Sequence, residues 1–162
     1  MNNQSKPILT MLMNEMNPDD VTPWYEIEPI IKPRLTVGET KVLRHSIKMI
    51  DYYMKRGDYQ YVLDKASEKG LYEYVEEILK MEDPEIKLNR ALYLAGKNGH
   101  EDIVLLLLHH DLRNENTFVH IAKLLTRDDL LYAIRESFES HYITIAIMIQ
   151  KYYLEMYEDK NE

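Results

Sequence analysis

From about residue 40 onward, apolar side chains recur every three or four positions, as they do along one face of an α-helix. The breaks between these stretches carry residues typical of helix ends, among them Gly57, Gly70 and Gly99. No stretch alternates apolar and polar residues in the manner of a half-buried strand. The pattern therefore predicts an all-α fold of about eight short helices joined by short connections.

Two helix starts near the end of the chain follow from capping signals. Thr126 and Asp129 have the spacing of a capping box, in which each side chain accepts a hydrogen bond from the backbone of the other residue. A further helix is expected to precede them over about 114–125. Ser140 can cap the last helix, which is predicted to run to about Tyr157.

The first 38 residues differ from the rest because they contain five of the six prolines. Proline at this density disfavours a long helix, so we interpret residues 1–38 as an N-terminal arm of extended chain and short helices. Its apolar residues Trp24, Ile27, Ile30 and Ile31 are expected to pack back on the first helices. A partner-binding peptide and a disordered segment are the alternatives for the arm.

The helical region contains an internal repeat. Three segments align through their first helices, LDKASEKG from Leu63, LYLAGKNG from Leu92 and VHIAKLLT from Val119, at offsets of 29 and 27 residues. In this alignment Thr126 takes the place of the turn glycine in the third unit. The alignment predicts a helical repeat domain over 39–162, with units at about 58–83, 84–112 and 113–138 and capping helices at 40–55 and 140–157.

The middle unit, ALYLAGKNGHEDIVLLLL, resembles an ankyrin repeat over nearly its whole helical part. Its small residues Ala95 and Gly96 allow close approach of a neighbouring helix, and Gly99 suits a tight turn with positive φ. The period is shorter than the ~33 residues of the family, and Arg90-Ala91 replaces its threonine-proline. The resemblance implies a short α-solenoid of antiparallel helix pairs in which the projecting β-hairpins are reduced.

The resemblance also carries expectations about origin and location. Divergent ankyrin-like proteins of this kind are found in large DNA viruses and intracellular pathogens. His100 of this chain lies at the position where members of that family have a structural histidine in the turn. Because no targeting segment is evident in the sequence, we expect a cytoplasmic protein, in the host cytoplasm if the source is viral.

Composition and charge narrow the classes of function. The chain has 20 basic and 28 acidic side chains and a formal charge of −8, which argues against a nucleic-acid partner because neutralising phosphates requires a basic face. It contains no cysteine, which excludes disulfides, thiolate catalysis and cysteine-ligated metals. Its apolar stretches are too short to span a bilayer, so no membrane partner is expected.

The sequence offers no arrangement that favours catalysis or metal binding. His109 and His110 are adjacent and so point about 100° apart around a helix, an arrangement unsuited to holding one metal ion. Ser46 follows His45 directly, and neighbours on a helix do not face each other as a catalytic pair must. We therefore expect a protein that is not an enzyme and uses neither cofactor nor metal.

The leading interpretation is a non-catalytic protein-interaction module, such as a pathogen effector that binds a host protein. By the ankyrin resemblance, the partner would lie on a concave face built from first-helix positions. Thirteen tyrosines support this interpretation, because tyrosine is enriched in binding hot spots. The candidate contact residues are Asp64, Glu68, Lys69, Tyr93, Lys97, Asn98, His120 and Leu124, together with Tyr59 and Tyr61.

Two alternative functions remain open. The first is a self-associating structural or assembly protein of a virus, a homodimer for example, joined through Tyr152, Tyr153 and Met156 or through the arm. The second is an acidic inhibitor that mimics nucleic acid, a function that the negative charge of the chain would suit.

Overall fold

The computed structural model describes residues 5–27, 37–81, 83, 85–115 and 125–158. Within them the chain is all-α, as predicted, and no strand is present. A short 3₁₀ helix at Trp24–Glu26 follows the first α-helix. The α-helices are α1 Ser5–Glu15, α2 Val37–Arg56, α3 Tyr59–Lys69, α4 Tyr72–Lys80, α5 Asn89–Lys97, α6 Glu101–Glu115, α7 Arg127–Glu139 and α8 Ile143–Tyr157.

Six of these helices form three antiparallel pairs, α3 with α4, α5 with α6 and α7 with α8. The first helices of the pairs lie side by side, with α5 between α3 and α7, and the second helices do the same, with α6 between α4 and α8. The two layers bury a continuous apolar core that includes Leu63, Leu92 and Ile134 from the first helices. Helix α2 packs on α3, and α1 packs on α7 and α8.

The turn within each pair has the same backbone conformation. Gly70, Gly99 and His141 have φ values of 74°, 75° and 65°, in the left-handed region. The ring of His100 lies over Gly70 of the preceding pair, and the ring of Tyr142 lies over Gly99 in the same way. This repeated contact shows that the three pairs stack in one register.

The register of the third unit differs from the predicted alignment. Thr126, which was placed at the turn glycine, has a φ of −84° and is the N-cap of α7, where it forms the predicted capping box with Asp129. Helix α7 takes the first-helix position, because it packs on α5 and pairs with α8. The turn of the third pair is at His141, 42 residues after Gly99, whereas Gly99 follows Gly70 by 29 residues.

Helices are present where the two capping helices were predicted, at Val37–Arg56 and Ile143–Tyr157. Ser140, the predicted cap of the last helix, instead follows the end of α7, and Tyr142 precedes α8. Most of the helix predicted over about 114–125 lies outside the described residues. The division of the chain into an arm and a repeat domain stays a prediction.

The N-terminal segment packs against the last helix pair, and the expectation that it packs on the first helices is wrong for Trp24. The Trp24 side chain is 1% exposed, and its Nε1 donates a hydrogen bond to Glu155 on α8 over 3.1 Å. Its ring meets Tyr152 edge-on at a centroid distance of 5.1 Å. Lys151 donates to the carbonyl of Thr22 over 2.8 Å. Ile27 is half-buried, whereas Ile30 and Ile31 lie outside the described residues.

Candidate protein-interaction surface

The first-helix layer holds most of the predicted contact residues, and Tyr93 on α5 lies half-buried within it. The Tyr93 ring meets the ring of Tyr132 on α7 at a centroid distance of 5.3 Å and an interplanar angle of 78°. The guanidinium of Arg135 lies over the Tyr132 ring, 4.9 Å from its centroid. Tyr132 is 42% exposed, so the pair presents aromatic surface to a partner.

An open depression of about 280 Å³ lies between α5 and α7 around these rings. Asn89 and Arg90 line it from α5, and Asp129 lines it from α7. The Asp129 carboxylate accepts hydrogen bonds from the backbone and the hydroxyl of Thr126, so it is committed to the helix cap. The depression thus offers two tyrosine rings and the Arg90 guanidinium, a combination suited to binding a mixed polar and apolar peptide surface.

Asp64 links α3 to α5 and is less available to a partner than the sequence suggested. Its carboxylate lies 3.7 Å from Nε of Arg90 and accepts a hydrogen bond from Gln60 over 3.0 Å. Burial raises the pKa of Asp64 above its ordinary value. Gln60 also pairs with the backbone of Lys87, donating to its carbonyl over 3.0 Å and accepting from its N–H over 2.8 Å. These contacts hold the start of α5 against α3.

Glu68 and the two lysines beside it form a local charge cluster on α3. Its carboxylate lies 2.7 Å from Lys65 Nζ and 3.1 Å from Lys69 Nζ. Burial favours the protonated carboxyl, but the hydrogen bonds from the two lysines prevail and hold the pKa of Glu68 below its ordinary value. The Glu68 carboxylate is thus paired with both lysines within α3, so we assign the cluster a supporting role at the surface.

On α5, Lys97 extends toward α7 and lies 3.6 Å from Glu136. Lys97 and Glu136 therefore flank the Tyr93–Tyr132 pair on the same layer of helices. The side chain of Asn98 is turned back to its own helix, donating to the carbonyl of Leu94 over 2.7 Å. Asn98 thus ends α5 and is a weaker candidate for contact with a partner.

Tyr59 and Tyr61 are not brought together with Tyr93. The ring of Tyr61 packs against Tyr53 of α2 at a centroid distance of 4.0 Å, on the side of α3 away from α5. Tyr59 is half-buried and packs against the core. Tyr61 therefore joins α2 to α3, and neither tyrosine lines the depression.

His120 and Leu124, the two third-unit candidates, lie outside the described residues. In the observed register α7 is the first helix of the third pair, and it contributes the exposed Tyr132 and the half-buried Arg135 to this layer. Sequence reasoning missed both because the alignment assigned them to a second helix. A signal was present: His141 follows Ile134 by seven residues, as Gly99 follows Leu92 and Gly70 follows Leu63.

The residues proposed for self-association are in the core. Tyr152 and Tyr153 are 1% and 0% exposed, and Met156 is 6% exposed. The Tyr152 hydroxyl donates to buried Asp111 over 2.6 Å, and the Tyr153 hydroxyl accepts from Arg127 over 2.7 Å. The hypothesis that these three side chains join two chains is therefore wrong, because they are already used within one.

Among the described residues, no group of three or more histidine and acidic side chains is arranged to hold a metal ion. No helix in this part of the chain has the length and apolar character needed to cross a membrane. No protein-family model matches the chain, and neither a curated protein nor a solved structure is significantly similar to it.

Proposed function

We propose that this chain is a non-catalytic protein-interaction module that binds a partner at the depression between α5 and α7. The observation that carries the proposal is the Tyr93–Tyr132 pair with Arg135 over its outer ring. Tyrosine and arginine are enriched in binding hot spots, because they combine a large apolar area with polar atoms. Both helices are anchored in the core, so the aromatic surface is ordered before a partner arrives.

The stacking of the helix pairs supports a short ankyrin-like solenoid as the scaffold. Its support is the repeated contact of His100 with Gly70 and of Tyr142 with Gly99, together with a first-helix layer that presents exposed polar and aromatic residues. In such a scaffold each pair contacts only its neighbours and the layer forms one extended binding face. A host protein is the partner that this proposal favours, with the chain acting as a viral or pathogen effector in the cytoplasm.

The test compares three forms of the full chain as tagged baits in lysate of the candidate host cell. The wild type is compared with the double variant Tyr93→Ala/Tyr132→Ala and with the control Tyr72→Ala, which removes a tyrosine of similar exposure from α4. We expect a partner that the wild type and the control retain and the double variant loses. With the purified partner, each tyrosine removed should weaken binding by about 2 kcal/mol, roughly 30-fold.

Two results would contradict the proposal. One is an identical set of retained proteins for all three baits. The other is the absence of any retained protein while circular dichroism shows that the wild type is folded. Light scattering on the same samples would show whether the chain associates with itself through surfaces other than the buried tyrosines of α8.

A further inference from the structure

The outward face of α2 carries a row of positive charges in a chain that is acidic as a whole. Helix α2 contains five lysines and arginines and two acidic residues, a formal charge of +3 that leaves −11 on the rest of the chain. Its opposite face packs on the core through Ile50 and on α3. The exposed cations are Lys41, Arg44, Lys48, Lys55 and Arg56, and His45 is exposed among them.

Most of these cations are not neutralised within the part of the chain that the structure describes. No described carboxylate lies within ion-pair distance of Lys41, Arg44, Lys48 or Lys55. Arg56 is held over the ring of Tyr52 and donates to its hydroxyl over 3.0 Å.

Asp51, the acidic residue of α2 whose side chain the structure describes, does not neutralise the row of cations either. Asp51 accepts a hydrogen bond of 2.6 Å from Tyr74 of α4, which directs its carboxylate to the neighbouring helix. With respect to the described residues, the row of cations therefore keeps its positive charge available to an external anion.

We propose that this face of α2 docks an acidic segment of a partner protein. From Lys41 to Lys55 the row is about 21 Å long, at 1.5 Å per helical residue. An extended chain covers that length with about six or seven residues, and its alternate side chains project to one side about 7 Å apart. Three or four carboxylates of such a segment would lie within reach of Lys41, Arg44, Lys48 and Lys55.

The extent of the row favours a short acidic segment over an extended polyanion. A nucleic-acid duplex or an anionic bilayer would continue past the row and approach the rest of the chain, whose formal charge is −11. The resulting repulsion acts over the Debye length, about 8 Å at physiological salt. A segment of six or seven residues ends where the cations end. The outward face of α2 is a different surface from the α5–α7 depression, so binding at one is independent of binding at the other.

The test uses the full chain and a fluorescein-labelled peptide of glutamate residues matched to the row, followed by fluorescence anisotropy. We compare the wild type with Lys41→Glu/Lys48→Glu and with the control Lys80→Glu/Lys87→Glu, which changes the net charge equally at exposed sites outside α2. We expect saturable binding by the wild type that weakens at least tenfold in the α2 variant and less than twofold in the control. Raising the salt to 1 M, where the Debye length is about 3 Å, should abolish binding.

Each other outcome overturns the proposal. Equal weakening in both variants would mean that overall charge, not α2, governs binding, and no binding at low salt would mean that the face does not hold carboxylates. Tighter binding to a short DNA duplex or to vesicles containing phosphatidylserine, lost in the α2 variant, would assign the face to a different partner class. Should the reversed variant unfold, Lys41→Gln/Lys48→Gln gives the same comparison with half the change in charge.

Discussion

The imidazole ring of His100 lies over Gly70, so close that a Cβ atom at residue 70 would be 2.5 Å from two of its ring atoms. The same ring has Nε2 2.9 Å from the carbonyl oxygen of Glu68, at the end of α3. The turn of the first helix pair and the start of α6 are thus joined by one side chain. The φ of 74° favours glycine at residue 70, and the contact with the His100 ring leaves no space there for a Cβ atom.

Gly70→Ala is therefore expected to destabilise the fold by about 3 kcal/mol. A left-handed alanine costs about 1 kcal/mol, and displacing the His100 ring costs about 2 more. The control is Gly57→Ala, because Gly57 has a similar φ of 78° but open space where its Cβ would lie. Urea unfolding measures the stability that each variant loses, and the difference between the two losses is the cost of displacing the His100 ring. Equal losses of stability would mean that the ring moves aside at no cost.

Gly96 on α5 provides a test of the observed packing of α5 on α7. A Cβ at residue 96 would collide with the hydroxyl of Ser137, so Gly96→Ala should destabilise the wild type by about 2 kcal/mol. In a Ser137→Ala background the nearest remaining atoms are 3.6 Å from the added Cβ. There Gly96→Ala should be neutral or stabilising, because alanine is more favourable than glycine in a helix by about 1 kcal/mol. A double-mutant cycle by urea unfolding measures this coupling. Additive effects would contradict the contact between the two helices.

Ala95, next to Gly96 on α5, is fully buried and provides a simpler test of how α5 packs on its neighbours. Ala95→Leu should overpack the junction between helices and cost roughly 1–3 kcal/mol in a thermal or urea melt. The control is Lys97→Leu, at an exposed position of the same helix, which should change the free energy of unfolding by less than about 0.5 kcal/mol. A silent Ala95→Leu would mean that the side chain at residue 95 has free space.

Tyr74 is expected to make stability depend on pH in the alkaline range. Its hydrogen bond to Asp51, together with burial and the nearby negative charges, raises the pKa of Tyr74 to about 12 from the ordinary value of 10. Because the folded pKa is above the unfolded one, the contribution is complete below pH 10 and is lost as the pH rises through 12. Tyr74→Phe should cost about 1 kcal/mol at pH 7. The difference from the wild type should shrink between pH 10 and 12, and a difference that stays constant over that interval would contradict the hydrogen bond.

The single tryptophan reports on the N-terminal segment. Trp24 is buried against α8, so its fluorescence should be blue-shifted and shielded from acrylamide in the folded chain. Trp24→Ala should destabilise the chain by about 3–5 kcal/mol, whereas Trp24→Phe, which loses mainly the bond to Glu155, should cost about 1 kcal/mol. Met13→Ala, at an exposed position of α1, is the matched control. Emission like that of free tryptophan in water would show that the segment is detached from α8.

For the described residues, the sequence alone determined that the fold is all-α and where several of the helices end. Apolar spacing is a local signal, and so are the glycines at residues 57, 70 and 99 and the Thr126–Asp129 capping box, all of which the structure has where they were predicted. The sequence placed Tyr93 on a first helix, where the structure has it. It did not indicate that Tyr132 would be the neighbour of Tyr93, because that contact depends on how α7 packs on α5.

Only the tertiary structure decided which helix faces meet. His141 adopts the left-handed conformation because the α7–α8 turn requires it, and a histidine gives no sequence signal for positive φ comparable to that of glycine. Likewise, Trp24 is apolar enough to be buried on any helix pair, and its place on α8 depends on the shape and hydrogen-bond partner found there. Burial energy is non-directional, so it specifies that a side chain is covered, whereas packing between distant segments specifies what covers it.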